Sequence, residues 1–193
     1  MSLNTHFWSD LNTQDFAGMD KSRAIAVLPL AATEQHGPHL PLSVDTDIVN
    51  AVIARSVSVL QTKASGLPVY FLPTQAVGLS PEHAAFAGTL TLKPETLIRL
   101  WTDIAESVKA AGIHKLVLFN AHGGHVGAMD VVARDLLEKV FAWMTLSDER
   151  NLVAAYVAGG LTDLVVCDFL TPWVNLPPSL QDAGVPLVLF QHN

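Results

Sequence analysis

The 193-residue chain holds a single cysteine, Cys167, so it can form no intrachain disulfide and build no cysteine-based zinc knuckle. A lone thiol of this kind is ordinarily a small buried hydrophobe. Charge is also scarce: 15% of residues are charged, the formal net charge is −7, and there is no run of Lys or Arg. Phosphate backbones are gripped by clustered basic side chains, so no nucleic-acid partner is expected. No uninterrupted apolar stretch approaches the roughly 20 residues that span a bilayer. The N-terminus, MSLNTHFWSDLNTQDF, lacks a basic segment followed by an apolar one. Neither a signal peptide nor a membrane partner is therefore expected, and the cytoplasm is the default location. What the chain does have is apolar bulk. Half of it (50%) is hydrophobic, enough for a sizeable core.

That bulk is patterned. AIAVLPLAA (24–32), PVYFLP (68–73) and KLVLFN (115–120) are short apolar runs that predict strands buried on both faces. Between them lie helical spacings. In 45–60, Ile48, Val52, Ile53, Val57 and Leu60 recur on one face, with Asp45 placed to cap the helix. In 93–112, Pro94 opens a helix that Gly112 closes, with Leu97, Trp101, Ile104 and Val108 on its apolar face. In 121–141, glycines turn into a helix with Met129, Val132, Leu136 and Val140 aligned. Residues 74–92 read as a long loop, and long loops in compact domains tend to be functional. Alternating strands and helices predict an α/β fold, a three-layer α/β/α sandwich around a mostly parallel sheet. Such sheets collect ligands at the carboxyl ends of their strands.

Two histidine-rich stretches fall at such ends. EQHGPHLPLSVD (34–45) follows the first strand and HGGH (122–125) follows the third. Glu34 and His36, two residues apart in an extended segment, project to the same side. Asp45 opens the next helix and can fold back toward them, and His122 lies in the neighbouring loop. Two imidazoles and two carboxylates suit a divalent cation such as Zn²⁺ or Mn²⁺, and a carboxylate can bridge two of them. Each residue alone has a plainer role, Asp45 as a helix cap and a loop histidine as a solvated group. Their combination at two strand ends points to a site.

LPLAATEQHGPHLPLSVDTDIV (28–49) closely resembles the signature of the creatininase family, the creatinine amidohydrolases and their relatives. SPEHAAFAGTLTL (80–92) is similar to that family's Ser-x-Glu-His and Phe-x-Gly-Thr segment, and FNAHGGHVG (119–127) to its Asn-Gly-His-Gly-Gly-Asn turn. The resemblance covers about residues 20–140. It implies a creatininase-like fold and a binuclear Zn or Mn centre, with Glu34 and His122 on one metal, His36 on the other and Asp45 bridging. It implies hydrolysis of a non-peptide or cyclic C–N bond in a small-molecule amide, with a metal-held hydroxide as nucleophile. His83 borders the pocket in the family, which implies substrate contact. His125 stands where Asn is usual, near the metals and within reach of substrate. His39 belongs to the signature as a structural loop residue.

Departures accompany the likeness. Ala121 stands where Gly is frequent, and Gly124 where the creatinine-hydrolysing members carry a Glu ligand to the second metal. Relatives with Gly at that place draw a carboxylate from a later stretch resembling His-Ala-Gly-Glu-x-x-Glu-Thr-Ser, which this sequence does not contain. A general acid/base is therefore unassigned, and a catalytically impaired metal-binding remnant is the alternative reading. From about residue 142 the texture changes. Residues 163–170 and 185–193 predict two more strands, similar to the N-terminal sheet of a family 4 type glycosyltransferase. The expected organisation is thus a metal-site domain over 1–145 and a divergent tail over 146–193, foreign or truncated, that leaves the fold C-terminally incomplete. The family tends toward homohexamers, so a homo-oligomer is open to this chain. One lacking the C-terminal third would bare apolar surface instead.

Overall fold

The computed structural model of the protein describes residues 5–63, 66–140 and 164–168. After a short N-terminal helix α1 (Thr13–Gly18), the elements alternate as β1 (Ile25–Leu30), α2 (Val44–Lys63), β2 (Val69–Phe71), α3 (Pro94–Ala110), β3 (Leu116–Asn120), α4 (Val126–Val140) and β4 (Leu164–Asp168). Helix α1 had no apolar signature to announce it. It is held by a reciprocal cap in which Asn12 accepts from the N–H groups of Gln14 and Asp15, and Asp15 accepts from that of Asn12. The strands form one parallel sheet in the order β2-β1-β3-β4.

Alternation along β1 decides which helix packs where. Ala26, Leu28 and Leu30 face a core built with Leu97, Trp101, Ala105 and Val108 of α3 and Met129, Val132 and Leu136 of α4. Val27 faces the opposite way, with Phe71 and Phe119, onto Val49, Ile53 and Leu60 of α2. Helices thus cover both faces, and the predicted three layers are present. Burying each such Leu, Ile or Met contributes about 1.5–3 kcal/mol before chain entropy is counted. Helix α2 is rotated slightly from its expected setting: Val49 is buried where Ile48 was expected, and Ile48 is half-buried.

A proline inside a central strand normally costs a ladder bond. Pro29 escapes that cost. Its nitrogen faces the β2 side, where β2 has already ended at Phe71, and its carbonyl accepts from the Gln75 N–H at 2.9 Å. The chain therefore leaves β2 early and sends the long segment 74–92 over the carboxyl end of the sheet. That segment is pinned at its base by Leu92 N–H donating to Gly78 O at 2.8 Å and Ser80 N–H donating to Thr91 Oγ1 at 2.8 Å.

Strand order reverses between β1 and β3, which opens a crevice at their carboxyl ends. Residues 163–170, expected as a strand, contain β4, which pairs with β3 in the same sheet. The seam expected near 142–151 and the strand expected over 185–193 lie outside the described residues, as does the side chain of Cys167. Among the described residues no helix is long and apolar enough to cross a membrane.

Candidate metal centre

The crevice between β1 and β3 holds Glu34, His36, Asp45 and His122. Beyond β1 the chain passes through fully buried Ala31 and Ala32, then folds so that Glu34 N–H donates to Leu42 O at 3.0 Å. Gly37 makes the turn with a φ of +87°, a conformation that favours glycine. Helix α2 begins at Val44, one residue earlier than expected. Asp45 therefore sits inside its first turn and turns its carboxylate to the crevice, not to the helix N–H groups.

Both imidazoles are locked in one tautomer by backbone carbonyls, which can only accept. His36 Nδ1–H donates to Glu34 O at 3.0 Å, and His122 Nε2–H donates to Leu79 O at 2.9 Å. Each ring's other nitrogen then presents a lone pair to the carboxylates. His36 Nε2 lies 3.1 Å from Asp45 Oδ1, and His122 Nδ1 lies 3.0 Å from Asp45 Oδ2 and 3.3 Å from Glu34 Oε1. With its hydrogen on Nε2, the His122 ring has none on Nδ1 to donate to Asp45 Oδ2, which has no other partner, and Glu34 Oε2 has none either. Glu34 and Asp45 are only 5% and 6% exposed.

Lone pairs facing buried, unpartnered carboxylate oxygens repel unless a positive charge lies between them. A proton is one such charge. The His122 pKa is raised, because Asp45, the Leu79 carbonyl and Glu34 together outweigh the larger single effect of burial, which favours the neutral ring. A divalent cation is the other. Histidines that donate one ring N–H to a carbonyl and present the other nitrogen to an acidic cluster have the arrangement of metal ligands. The donor set of two imidazole nitrogens and two carboxylates suits Zn²⁺ or Mn²⁺. The ligand atoms of Glu34, His36 and Asp45 all lie within 4.8 Å of one another.

The supporting residues are equally ordered. Asn120, at the end of β3 and 1% exposed, accepts from the His122 backbone N–H at 3.2 Å and donates to its carbonyl at 2.8 Å. The same Asn120 Oδ1 accepts from His125 Nδ1–H at 3.0 Å, and His125 Nε2 accepts from the Leu79 N–H at 3.2 Å. His125, expected at the substrate, is instead fully buried with both nitrogens occupied. Burial, and secondarily the neighbouring His122, push its pKa down to about 3. Its ring stands edge-on between His122 (4.6 Å) and Trp101 (4.9 Å), and so joins the site to the core. Gly78 lies against that ring, where any side chain would overlap it.

His83, expected to contact substrate, stands beside the cluster. Its Nε2 is 3.8 Å from Glu34 Oε1, its side chain is 31% exposed, and Phe86 packs beside it at 6.0 Å. His39 is exposed and packs near Gly37, away from the cluster. One neighbour escaped the sequence reading. Glu82 brings its carboxylate to Glu34 and His122, with the three ligand atoms within 4.8 Å of one another. Its sequence signal was the acidic residue directly before His83 in the similar Ser-x-Glu-His segment.

Fold and site together define a three-layer α/β protein with a His–carboxylate cluster, of the composition divalent cations select, at the switch point of a parallel sheet. Comparison with known proteins names the lineage. The family model described as creatininase, creatinine amidohydrolase, matches residues 9–175, and the chain belongs to that family. It is similar to the mycofactocin precursor peptide peptidase of Mycobacterium ulcerans (strain Agy99), 38% identical over 205 residues that cover 93% of this chain and 77% of the relative. The protein of the same description from Mycobacterium tuberculosis (strain ATCC 25618 / H37Rv) is 44% identical over 108 residues, 53% of this chain and 42% of the relative. The creatinine amidohydrolase of Pseudomonas putida is 27% identical over 150 residues, 77% and 55% of the two chains. Among solved structures, a mutant creatininase of zinc–zinc type superposes with a TM-score of 0.64 at 23% identity, covering 93% of this chain and 63% of that one. A manganese creatininase superposes at 0.59 and 22%, covering 86% and 59%. These two likenesses show the fold. The chain thus spans between 42% and 77% of the curated relatives named here.

Proposed function

We propose that the protein is a metal-dependent hydrolase of an amide C–N bond, with Zn²⁺ or Mn²⁺ held by Glu34, His36, Asp45 and His122. The observation that carries this reading is the pair of tautomer-locked imidazoles aimed at two buried carboxylates with unpartnered oxygens. A divalent ion bound there polarises a carbonyl and lowers the pKa of water, the two effects amide hydrolysis needs near neutral pH. The chain's own residues do the rest. The carbonyls of Glu34 and Leu79 hold the imidazoles in register. Asn120 and His125 brace the His122 loop from below, as positioning residues. His83 and Phe86 form the rim that an entering substrate meets.

The resemblance pointed to a non-peptide or cyclic amide. The relatives at 38% and 44% identity are described as peptide peptidases, and the one at 27% as a creatinine amidohydrolase. That ranking favours a peptide amide as the bond cleaved. The test is hydrolysis of short peptides, creatinine and formamides by protein loaded with Zn²⁺ or Mn²⁺. Turnover in one class, abolished by a chelator and by Asp45→Asn, supports the reading. Retained metal without turnover of any class refutes the hydrolase and establishes the impaired centre. No retained metal refutes the site.

A further inference from the structure

We propose that Glu82 is a further ligand of this centre, supplying a carboxylate to its Glu34–His122 side through the space that Gly124 leaves open. The inference rests on the metal reading above and goes beyond its four ligands. Ligands about 2.0–2.2 Å from a tetrahedral zinc ion stand about 3.3–3.6 Å apart. The oxygens of Glu34 and Glu82 and the nitrogen of His122 lie within 4.8 Å of one another, so a contraction of at most about 1.5 Å, within reach of side-chain rotation by the exposed Glu82, closes them on a cation.

Three further observations converge on Glu82. Glu34, beside it, is buried and keeps Oε2 without a hydrogen-bond partner. Glu82 is exposed and, among the described residues, makes no hydrogen bond or ion pair of its own, yet its 3₁₀ turn (Pro81–His83) is anchored through the pinned loop base and sits against the cluster. Gly124 is the third. A Cβ there would stand 2.5 Å from His122 Nε2, 2.6 Å from the Leu79 carbonyl and 3.0 Å from Glu82 Oε1, so a side chain at 124 would crowd the His122 ring, its carbonyl partner and the Glu82 carboxylate together. Glycine at 124 leaves room for all three to stand side by side. A third carboxylate brought to two others raises electrostatic energy without a cation and lowers it with one.

The test uses the full chain, stripped by chelator and titrated with Zn²⁺ by calorimetry and with Co²⁺ by visible absorption. Glu82→Gln is compared with wild type and with Glu106→Gln, an exposed glutamate on α3 away from the site. The expected result is an affinity at least about tenfold weaker in Glu82→Gln, with an altered cobalt spectrum and no change in Glu106→Gln. Metal-free Glu82→Gln should melt no lower than wild type, which separates ligand loss from misfolding. If wild type binds zinc and Glu82→Gln matches its affinity, stoichiometry and cobalt spectrum, the inference is overturned whatever the variant's activity, and the four-ligand centre stands. If wild type binds no zinc, the centre itself falls.

Discussion

Glu34→Gln should shift stability in opposite directions with and without metal. Glu34 is 5% exposed and its Oε2 has no partner, while its ligand atom and that of Asp45 lie within 4.8 Å. At an effective dielectric of about 20, two unit charges at that separation repel by about 3.5 kcal/mol. His122 offsets part of this when protonated, and its pKa is raised, so the comparison belongs well above the ordinary imidazole range, where the ring is more nearly neutral. Allowing for that offset, the metal-free variant should be about 1–3 kcal/mol more stable than wild type, roughly 2–12 °C in Tm for a chain of this size. Zinc at about a hundred times its Kd should then raise wild type by about 2.7 kcal/mol and the variant by far less. Differential scanning calorimetry with chelator and with excess zinc reads both effects. A variant less stable than wild type in chelator, with an undiminished zinc response, would refute the argument that the two carboxylates await a cation.

Other residues give independent readouts. His125 is neutral in the folded state, its pKa pushed to about 3, whereas the unfolded ring titrates near 6.5. Its contribution is therefore present above that value and lost on acidification toward 3, by about 1.4 kcal/mol per pH unit. Urea denaturation at successive pH values should show a shallower acid loss in His125→Gln than in wild type; equal slopes would contradict the assignment. Gly124→Ala should reduce zinc affinity at least tenfold or so, because its Cβ would press on His122 Nε2 and on the Leu79 carbonyl that orients that ring. Unchanged metal titration would count against that reading. Trp101 is fully buried but its indole N–H has no hydrogen-bond partner. Trp101→Phe should therefore cost much less than the about 3–5 kcal/mol of Trp101→Ala, and comparable losses in chemical denaturation would show that the indole nitrogen matters.

Much of the scaffold was legible because hydrophobic periodicity survives averaging over many contacts. The apolar runs at 24–32, 68–73 and 115–120 became β1, β2 and β3, and the faces of α3 and α4 were read from spacing alone. Helix α1 was not legible, since a six-residue helix held by a cap leaves too little pattern to detect. Helix α2 was placed correctly but rotated, because its burial is set by where the sheet lies as much as by its own sequence.

The sequence by itself determined which chemistry the protein could carry. Glu34, His36, Asp45 and His122 stood at the ends of two buried strands, and only a parallel sheet brings such ends together. Tertiary structure decided everything that depends on direction. It turned Asp45 from helix cap to crevice, withdrew His125 into the core beside Trp101, and brought Glu82 beside Glu34 and His122. The reason is geometric. Spacing along a chain says which side chains are near in sequence, but lone-pair direction, tautomer and free volume are settled by neighbours from other segments. Here those neighbours are the Leu79 peptide and the 74–92 loop that β2 releases early.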